Sequence, residues 1–205
     1  MEEKRKNQTI ERAASSGLSL PKLVLASGSP RRAEILRTVG WPFETLVVDI
    51  DEARAPDEGA SSYVERLARE KAEAAGSRQP GQLVLGADTV VVVDNEILGK
   101  PRNEEEARRM LRLLSGRWHD VLTGVALLNG ENSGIIVAHE VTRVRFAAMN
   151  DDEIDWYVAT GEPMDKAGAY AIQGLGSRFI EGIYGDYFNV VGLPVRLLYK
   201  LIQGL

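Results

Sequence analysis

The sequence predicts an α/β fold, a mixed sheet flanked by helices within a single domain. Three observations predict it. Short aliphatic runs alternate with segments of helical periodicity over the first half, two strand-like runs joined by a polar turn follow, and the 205 residues contain no internal repeat or low-complexity linker.

Residues 23–26 (LVLA) read as a strand running into Ser27-Gly28-Ser29-Pro30, after which Ile35, Leu36 and Val39 recur at helical spacing. Ser29 suits the N-cap, Pro30 the first helical position and Gly40 the stop. Residues 43–50 (FETLVVDI) read as a strand leading into an acidic stretch. A helix beginning at Ser61 or Ser62, with Ser62 and Glu65 spaced as a capping box, carries Val64, Leu67, Ala68 and Ala75 on one face. Residues 83–94 form the next strand, followed by a Gly99-Lys100-Pro101 turn. Asn103 and Glu106 then open a helix through Met110, Leu111 and Leu114 that Gly116 closes. Residues 119–128 and 141–149 read as strands joined by a turn around residues 129–132, the second alternating V-T-R-V-R-F. Asn150 and Glu153 cap a helix through Tyr157. Residues 161–194, rich in glycine and aromatics, read as two short strands and loops, and a last helix follows Pro194 over Leu197, Leu198, Leu201 and Ile202.

Composition narrows the function classes. The chain has 44% hydrophobic and 27% charged residues, ordinary for a globular protein. Thirty acidic residues against 25 basic ones give a net charge of −5, which argues against broad coating of nucleic acid. There is no cysteine, so disulfides, thiolate metal sites and a cysteine nucleophile are excluded, and a cytoplasmic location is favoured. No apolar run approaches the ~20 residues that span a bilayer, and MEEKRKNQTIERAASSG lacks the apolar core of a signal peptide. Neither membrane nor nucleic acid is expected as a partner. Residues 1–20 are read as a polar extension, with a short helix as its one element of order, ahead of a domain over residues 21–205.

Several charged residues stand in apolar or helix-terminal company. Arg31 and Arg32 lie in a first helical turn, where a cation is disfavoured and backbone N–H groups lack partners; either a phosphate completes the site or the arginines point into water. Asp88 interrupts LVLGADTVVVV, a pattern apolar on both faces, and an unpaired carboxylate there costs several kcal/mol. Its partner is a metal ion, a lysine or an activated water, unless loop N–H groups satisfy it at a strand end. Gly86 beside it leaves room for a ligand or another backbone. Lys71 falls on an apolar helix face, so it either snorkels outward or enters a polar cleft. Lys100 is a turn lysine, exposed or turned to the same cleft. Asp51 and Glu52, near Asp49 and Asp57, are a solvated acidic loop or a source of hard oxygen ligands for Mg²⁺. His119 and His139 lack partners at metal-ligand spacing and are read as structural. Walker and dinucleotide-binding glycine patterns are missing. The inventory of cations and carboxylates suits phosphate-ester chemistry.

The motifs SGSPRR (27–32), DE (51–52), REK (69–71), GADT (86–89), GKP (99–101), Ser115-Gly116 with His119, EPMDKAGAYAIQGLG (162–176) and NVVGLP (189–194) resemble, in that order, the Maf family of nucleoside triphosphate pyrophosphatases. The resemblance spans residues 23–201, nearly all of the chain beyond the N-terminal tail. It implies a Maf/ITPase-like sheet curved around a central cleft, a homodimer, and hydrolysis of a nucleoside triphosphate between its α and β phosphates with a divalent cation, Mg²⁺ or Mn²⁺. Asp88 matches the proton acceptor, Glu52 an acidic residue tied to metal and activity, and Ser27, Arg31, Arg32, Lys71 and Lys100 the residues lining the phosphate cleft. On this reading Asp88, Glu52 and Lys71 are catalytic, and Glu52 and Asp88 hold the metal. Arg31, Thr89 and Gln173 match the residues that distinguish the subgroup acting on dTTP and UTP, the Gln173 amide being able both to donate to and accept from a pyrimidine edge. Two rivals are the same chemistry on 7-methyl-GTP or another modified purine, and a non-hydrolytic nucleotide-binding regulator, since the family name is linked to septum formation.

Overall fold

The computed structural model describes residues 20–130 and 134–204. The N-terminal extension with its expected helix, and residues 131–132 of the expected turn, lie outside the described residues.

The α/β class holds. Strands β1 (Leu23–Ala26), β2 (Phe43–Thr45), β3 (Leu83–Val93), β4 (Glu96–Leu98), β5 (Trp118–Asn129), β6 (Gly134–Phe146) and β7 (Ile180–Tyr184) form one seven-stranded mixed sheet in the order β2-β1-β3-β5-β6-β7, with β4 paired to β3. β2, β1 and β3 are parallel, and every later pairing is antiparallel. The helices are α1 (Pro30–Thr38), α2 (Ala60–Gly76), α3 (Glu104–Leu114), α4 (Asp151–Ala159), α5 (Tyr187–Val191) and α6 (Val195–Gln203). Among the described residues no helix is long and apolar enough to cross a membrane.

Strand alternation sorts the core. Leu23, Leu25, Leu85 and Ala87 face α1 and α6, where they bury Ile35, Leu36, Leu193 and Leu198. Val24, Ala26 and Val84 face the alanines of α2 at Ala68, Ala72 and Ala75. A third cluster joins α3 and α4 to the far half of the sheet through Met110, Leu111, Ile154, Tyr157 and Phe146. α2 lies almost on the sheet backbone. A Cβ at Gly86 would overlap the carbonyl oxygen of Ala68, and one at Gly124, paired across from Asp88, would overlap that of Val64. Of the two readings of Gly86, the close approach of another backbone is the one observed.

A gap in the sheet positions the site. β1 follows β3 only as far as Ala26 opposite Gly86, and β4 takes up the same edge only from Val91 onward, while β5 runs along the other edge throughout. Residues 87–90 of β3 therefore carry an open edge beyond the carboxyl end of β1, the kind of crevice in which α/β sheets bind ligands.

Several local expectations are corrected. The strand expected over 43–50 ends at Thr45, because β1 pairs with only three of its residues. α2 starts at Ala60 behind Gly59, and Ser62 and Glu65 form no capping box; Glu65 instead meets His139 Nδ1 at 2.7 Å. Ser29 is the N-cap residue of α1, but its side chain caps nothing. β6 begins at Gly134 and ends at Phe146, since residues 134–140 continue the ladder with β5. In place of two strands, residues 162–179 wind through three 3₁₀ turns before β7, and Asp186 caps the short α5 by accepting from Phe188 N and Asn189 N. The expected Asn103 cap and the Asn150–Glu153 capping box are present.

Candidate active site

The open edge of β3 forms the floor of a cleft of about 890 Å³. Ser27, Arg31, Arg32, Glu52, Lys71, Asp88, Thr89, Lys100 and Gln173, the nine residues singled out in the sequence, all line it. Alternation along β3 turns Asp88 toward α2 and Thr89 toward α1, so the two walls of the cleft receive different chemistry from adjacent residues.

On the α2 wall, Lys71 does not snorkel. It is 9% exposed, and its Nζ lies 2.6 Å from both Asp88 Oδ1 and Glu52 Oε1. The lysine is thus the partner that Asp88 required. Glu52 reaches it because its loop is pinned to α2: Tyr63 Oη donates to Glu52 O at 2.7 Å, and Arg66 donates to Glu58 and to the carbonyl of Ala53. Burial opposes ionisation of Glu52, but the hydrogen bond and charge of Lys71, with Lys100 and Arg32 behind it, hold its carboxyl below the usual range. The rest of the acidic run is solvated, with Asp51 turned back on its own loop to accept from Ala53 N.

On the α1 wall, Arg32 is buried rather than pointing into water. It donates to Gly192 O at 2.8 Å, Ser27 Oγ at 2.9 Å and Thr89 Oγ1 at 3.0 Å. None of these acceptors is charged. Burial lowers its pKa, against the opposing fields of Asp88 and Glu52, and two of its five N–H donors are left for a cleft anion. Arg31, at the mouth, donates to the carboxylate of Asp165 at 2.8 Å and to its carbonyl at 3.1 Å. Lys100 and Gln173 are exposed side chains on the cleft wall.

Sequence reasoning missed several residues. Asp165, Lys166, Arg102 and Tyr63 also line the cleft. Thr123 supports Thr89 from behind, with hydroxyls 3.0 Å apart, and donates to Asn189 O. Asn189 is fully buried and donates to Val121 O and Thr142 Oγ1. The adjacent acid and base in EPMDKAG were the available signal for Asp165 and Lys166, but nothing local ties them to an arginine 134 residues earlier. The histidines are structural as expected: His119 Nε2 meets Tyr170 Oη at 2.7 Å in the core, and His139 meets Glu65.

A family model described as Maf-like protein matches residues 22–205. The chain belongs to the Maf family. Maf relatives include a dTTP/UTP pyrophosphatase of Symbiobacterium thermophilum, 55% identical over 183 residues, covering 89% of this chain and 93% of the relative. Another, also a dTTP/UTP pyrophosphatase, is from Bacillus mycoides and is 50% identical over 183 residues, covering 89% and 95%. A third of the same name from Anaeromyxobacter dehalogenans is 54% identical over 185 residues, covering 89% and 93%. Among solved structures, the Staphylococcus aureus Ham1 protein aligns with a TM-score of 0.51 at 15% identity, covering 89% of this Maf chain and 98% of that one, a likeness of fold.

The donor set suits a hard divalent cation. Asp88 Oδ1 and Glu52 Oε1 converge on the Lys71 ammonium, so the second oxygen of each carboxylate is the one available to a cation, and among the described residues no group of three or more His, Cys, Asp or Glu assembles a dedicated cage. Two carboxylates that leave the remaining ligands to waters and phosphate oxygens are the arrangement Mg²⁺ ordinarily takes.

Proposed function

We propose that this Maf chain hydrolyses dTTP and UTP, and modified analogues of them, to the monophosphate and pyrophosphate. The observation that carries the reading is the convergence of all nine residues on one cleft, with carboxylates and lysine on one wall and arginines on the other. The names of relatives at 50–55% identity support the substrate.

The residues divide the work. Arg31, Arg32 and Lys100 bind the triphosphate, and Ser27 and Thr89 orient the Arg32 guanidinium by accepting from it. Asp88 accepts the proton of the water whose oxygen bonds to phosphorus as the phosphoanhydride bond to the leaving pyrophosphate breaks. Lys71 keeps Asp88 aligned through their 2.6 Å contact, and the cationic side chains neutralise the departing charge. Asp88 and Glu52 would hold a divalent cation, Mg²⁺ or Mn²⁺, which when bound would further neutralise the phosphate oxygens. Gln173, exposed on the cleft wall, reads the pyrimidine edge. The reading extends to a cytoplasmic homodimer acting on free nucleotides, with residues 1–20 lying outside the catalytic domain.

Pyrophosphate release from a panel of dTTP, UTP, 7-methyl-GTP and ITP tests it. Turnover of the pyrimidine nucleotides is expected, with Asp88→Asn lowering kcat by roughly 10²–10⁴ while nucleotide still binds. Preference for 7-methyl-GTP, or full turnover by the variant, would overturn the substrate or the proton acceptor respectively.

A further inference from the structure

The cleft holds a third carboxylate that the proposed chemistry does not use. Six cationic side chains line the cleft: Arg31, Arg32, Lys71, Lys100, Arg102 and Lys166. Lys71 is held by Asp88 and Glu52, Arg32 by neutral oxygens, and Arg102 by Glu106 outside the cleft. Asp165 takes two of the others together. Its Oδ2 accepts from Arg31 Nη1 at 2.8 Å, its Oδ1 from Lys166 Nζ at 2.5 Å, and its carbonyl from Arg31 Nη2 at 3.1 Å.

Asp165 is the most exposed of the three partners. The Asp165 side chain is 60% exposed, while Arg31 and Lys166 are 25% and 14% exposed. A solvent-facing carboxylate therefore sits over two half-buried cations at the cleft mouth, giving one oxygen to Arg31 and the other to Lys166, contacts that two oxygens of one phosphate could make in its place. Its backbone is a single 3₁₀ turn, Glu162–Asp165, entered through Gly161 at φ 74° and followed by Gly168 at φ 68°. Burial opposes ionisation of Asp165, but the hydrogen bonds from Lys166 and Arg31 outweigh it and hold the carboxyl down at about 2, so it is an anion at any working pH.

We propose that Asp165 is a positioning residue that occupies Arg31 and Lys166 as an internal anion, competes with the polyphosphate for them, and thereby hastens release of pyrophosphate. This rests on the pyrophosphatase reading above. A product with several negative charges leaves slowly from a cleft so rich in cations, and product release commonly limits turnover. A tethered carboxylate that returns to the cations as the product departs exchanges one ion pair for another, so neither state leaves the guanidinium unpaired.

The test is Asp165→Asn, which keeps the shape and an acceptor for Arg31 but removes the charge. Binding of inorganic pyrophosphate by calorimetry, which needs no turnover, is expected to tighten about tenfold, the worth of one charge-assisted hydrogen bond. KM for UTP should fall with it, kcat should fall, and a pre-steady-state burst of UMP should appear. Asp165→Glu, which restores the charge, should return product affinity toward that of the parent. Unchanged or weaker pyrophosphate binding in Asp165→Asn, or a raised KM with unchanged kcat, would overturn the inference and leave Asp165 as a prop for Arg31. A parent protein that binds neither pyrophosphate nor UTP would overturn the proposed function itself, and this inference with it.

Discussion

Lys71 Nζ and Asp88 Oδ1 are 2.6 Å apart, one on a helix face otherwise built of alanine, leucine and valine, the other on the central strand. Both side chains are nearly buried, at 11% and 13% exposure. The pair exists because α2 approaches β3 at backbone distance over Gly86, two residues before Asp88.

Gly86→Ala is expected to force α2 off the sheet, since its Cβ meets main chain that cannot rotate away. The cost is about 1–3 kcal/mol of stability. The chemistry should suffer more than the fold, because Lys71 moves with the helix. Urea unfolding beside kcat for UTP checks this, and a variant with parental kcat would show that the approach does not set the pair.

Lys71→Met leaves two carboxylates facing one another without a cation. A broken buried pair costs about 3–5 kcal/mol, and its replacement by apolar groups is often close to neutral. The single variant should therefore be strongly destabilised, and Lys71→Met combined with Asp88→Leu should recover much of the loss in denaturant melts. Equal stability of the single and double variants would contradict the pairing.

Chelation should stop the reaction and spare the fold. Because Lys71 already bridges Glu52 and Asp88, each carboxylate has a cationic partner in the folded protein without a metal. EDTA is expected to abolish pyrophosphate release, with recovery on adding Mg²⁺ or Mn²⁺, and to leave the Tm unchanged. A Tm that falls on chelation would mean that a cation contributes to the fold.

His119 makes stability depend on pH. Burial pushes it down from 6.5 to about 4, and its Nδ1 has no hydrogen-bond partner among the described residues. The unfolded chain gains a proton as pH falls through 6.5 and the folded one does not until about 4, so this contribution is whole above that window and lost within it. From pH 7.5 to 5.0 the loss is about 2 kcal/mol. His119→Gln should lack it, so the stability gap between parent and variant, measured by urea unfolding at both pH values, should narrow by that amount. A constant gap would place a charged imidazole in the core.

The sequence revealed most of what local chemistry dictates. Alternation and caps located β1, β3, β5, β6 and every helix but the short α5, while β4 was not anticipated, and the conflict between Asp88 or Lys71 and its apolar neighbours marked both as needing a partner. What stayed hidden was long-range. Residues 43–50 are hydrophobic enough for a strand, but β1 offers only three partners, a property of another element. The 3₁₀ path over residues 162–179 is held by Glu162, which accepts from Leu175 N, Gly176 N and Tyr157 Oη, contacts no periodicity encodes. Asp165 looked like any loop acid because the arginine that defines it lies on α1.

Arg32 closes on Gly192, 160 residues further along. The guanidinium on the first helix thus waits for almost the last turn of the chain before its donors are matched. During synthesis, a ribosome-bound nascent chain that has already made β1, α1 and even Asp88 still lacks the carbonyl that seats Arg32. The α1 wall of the cleft is accordingly complete only once Gly192, just ahead of α6, has been made.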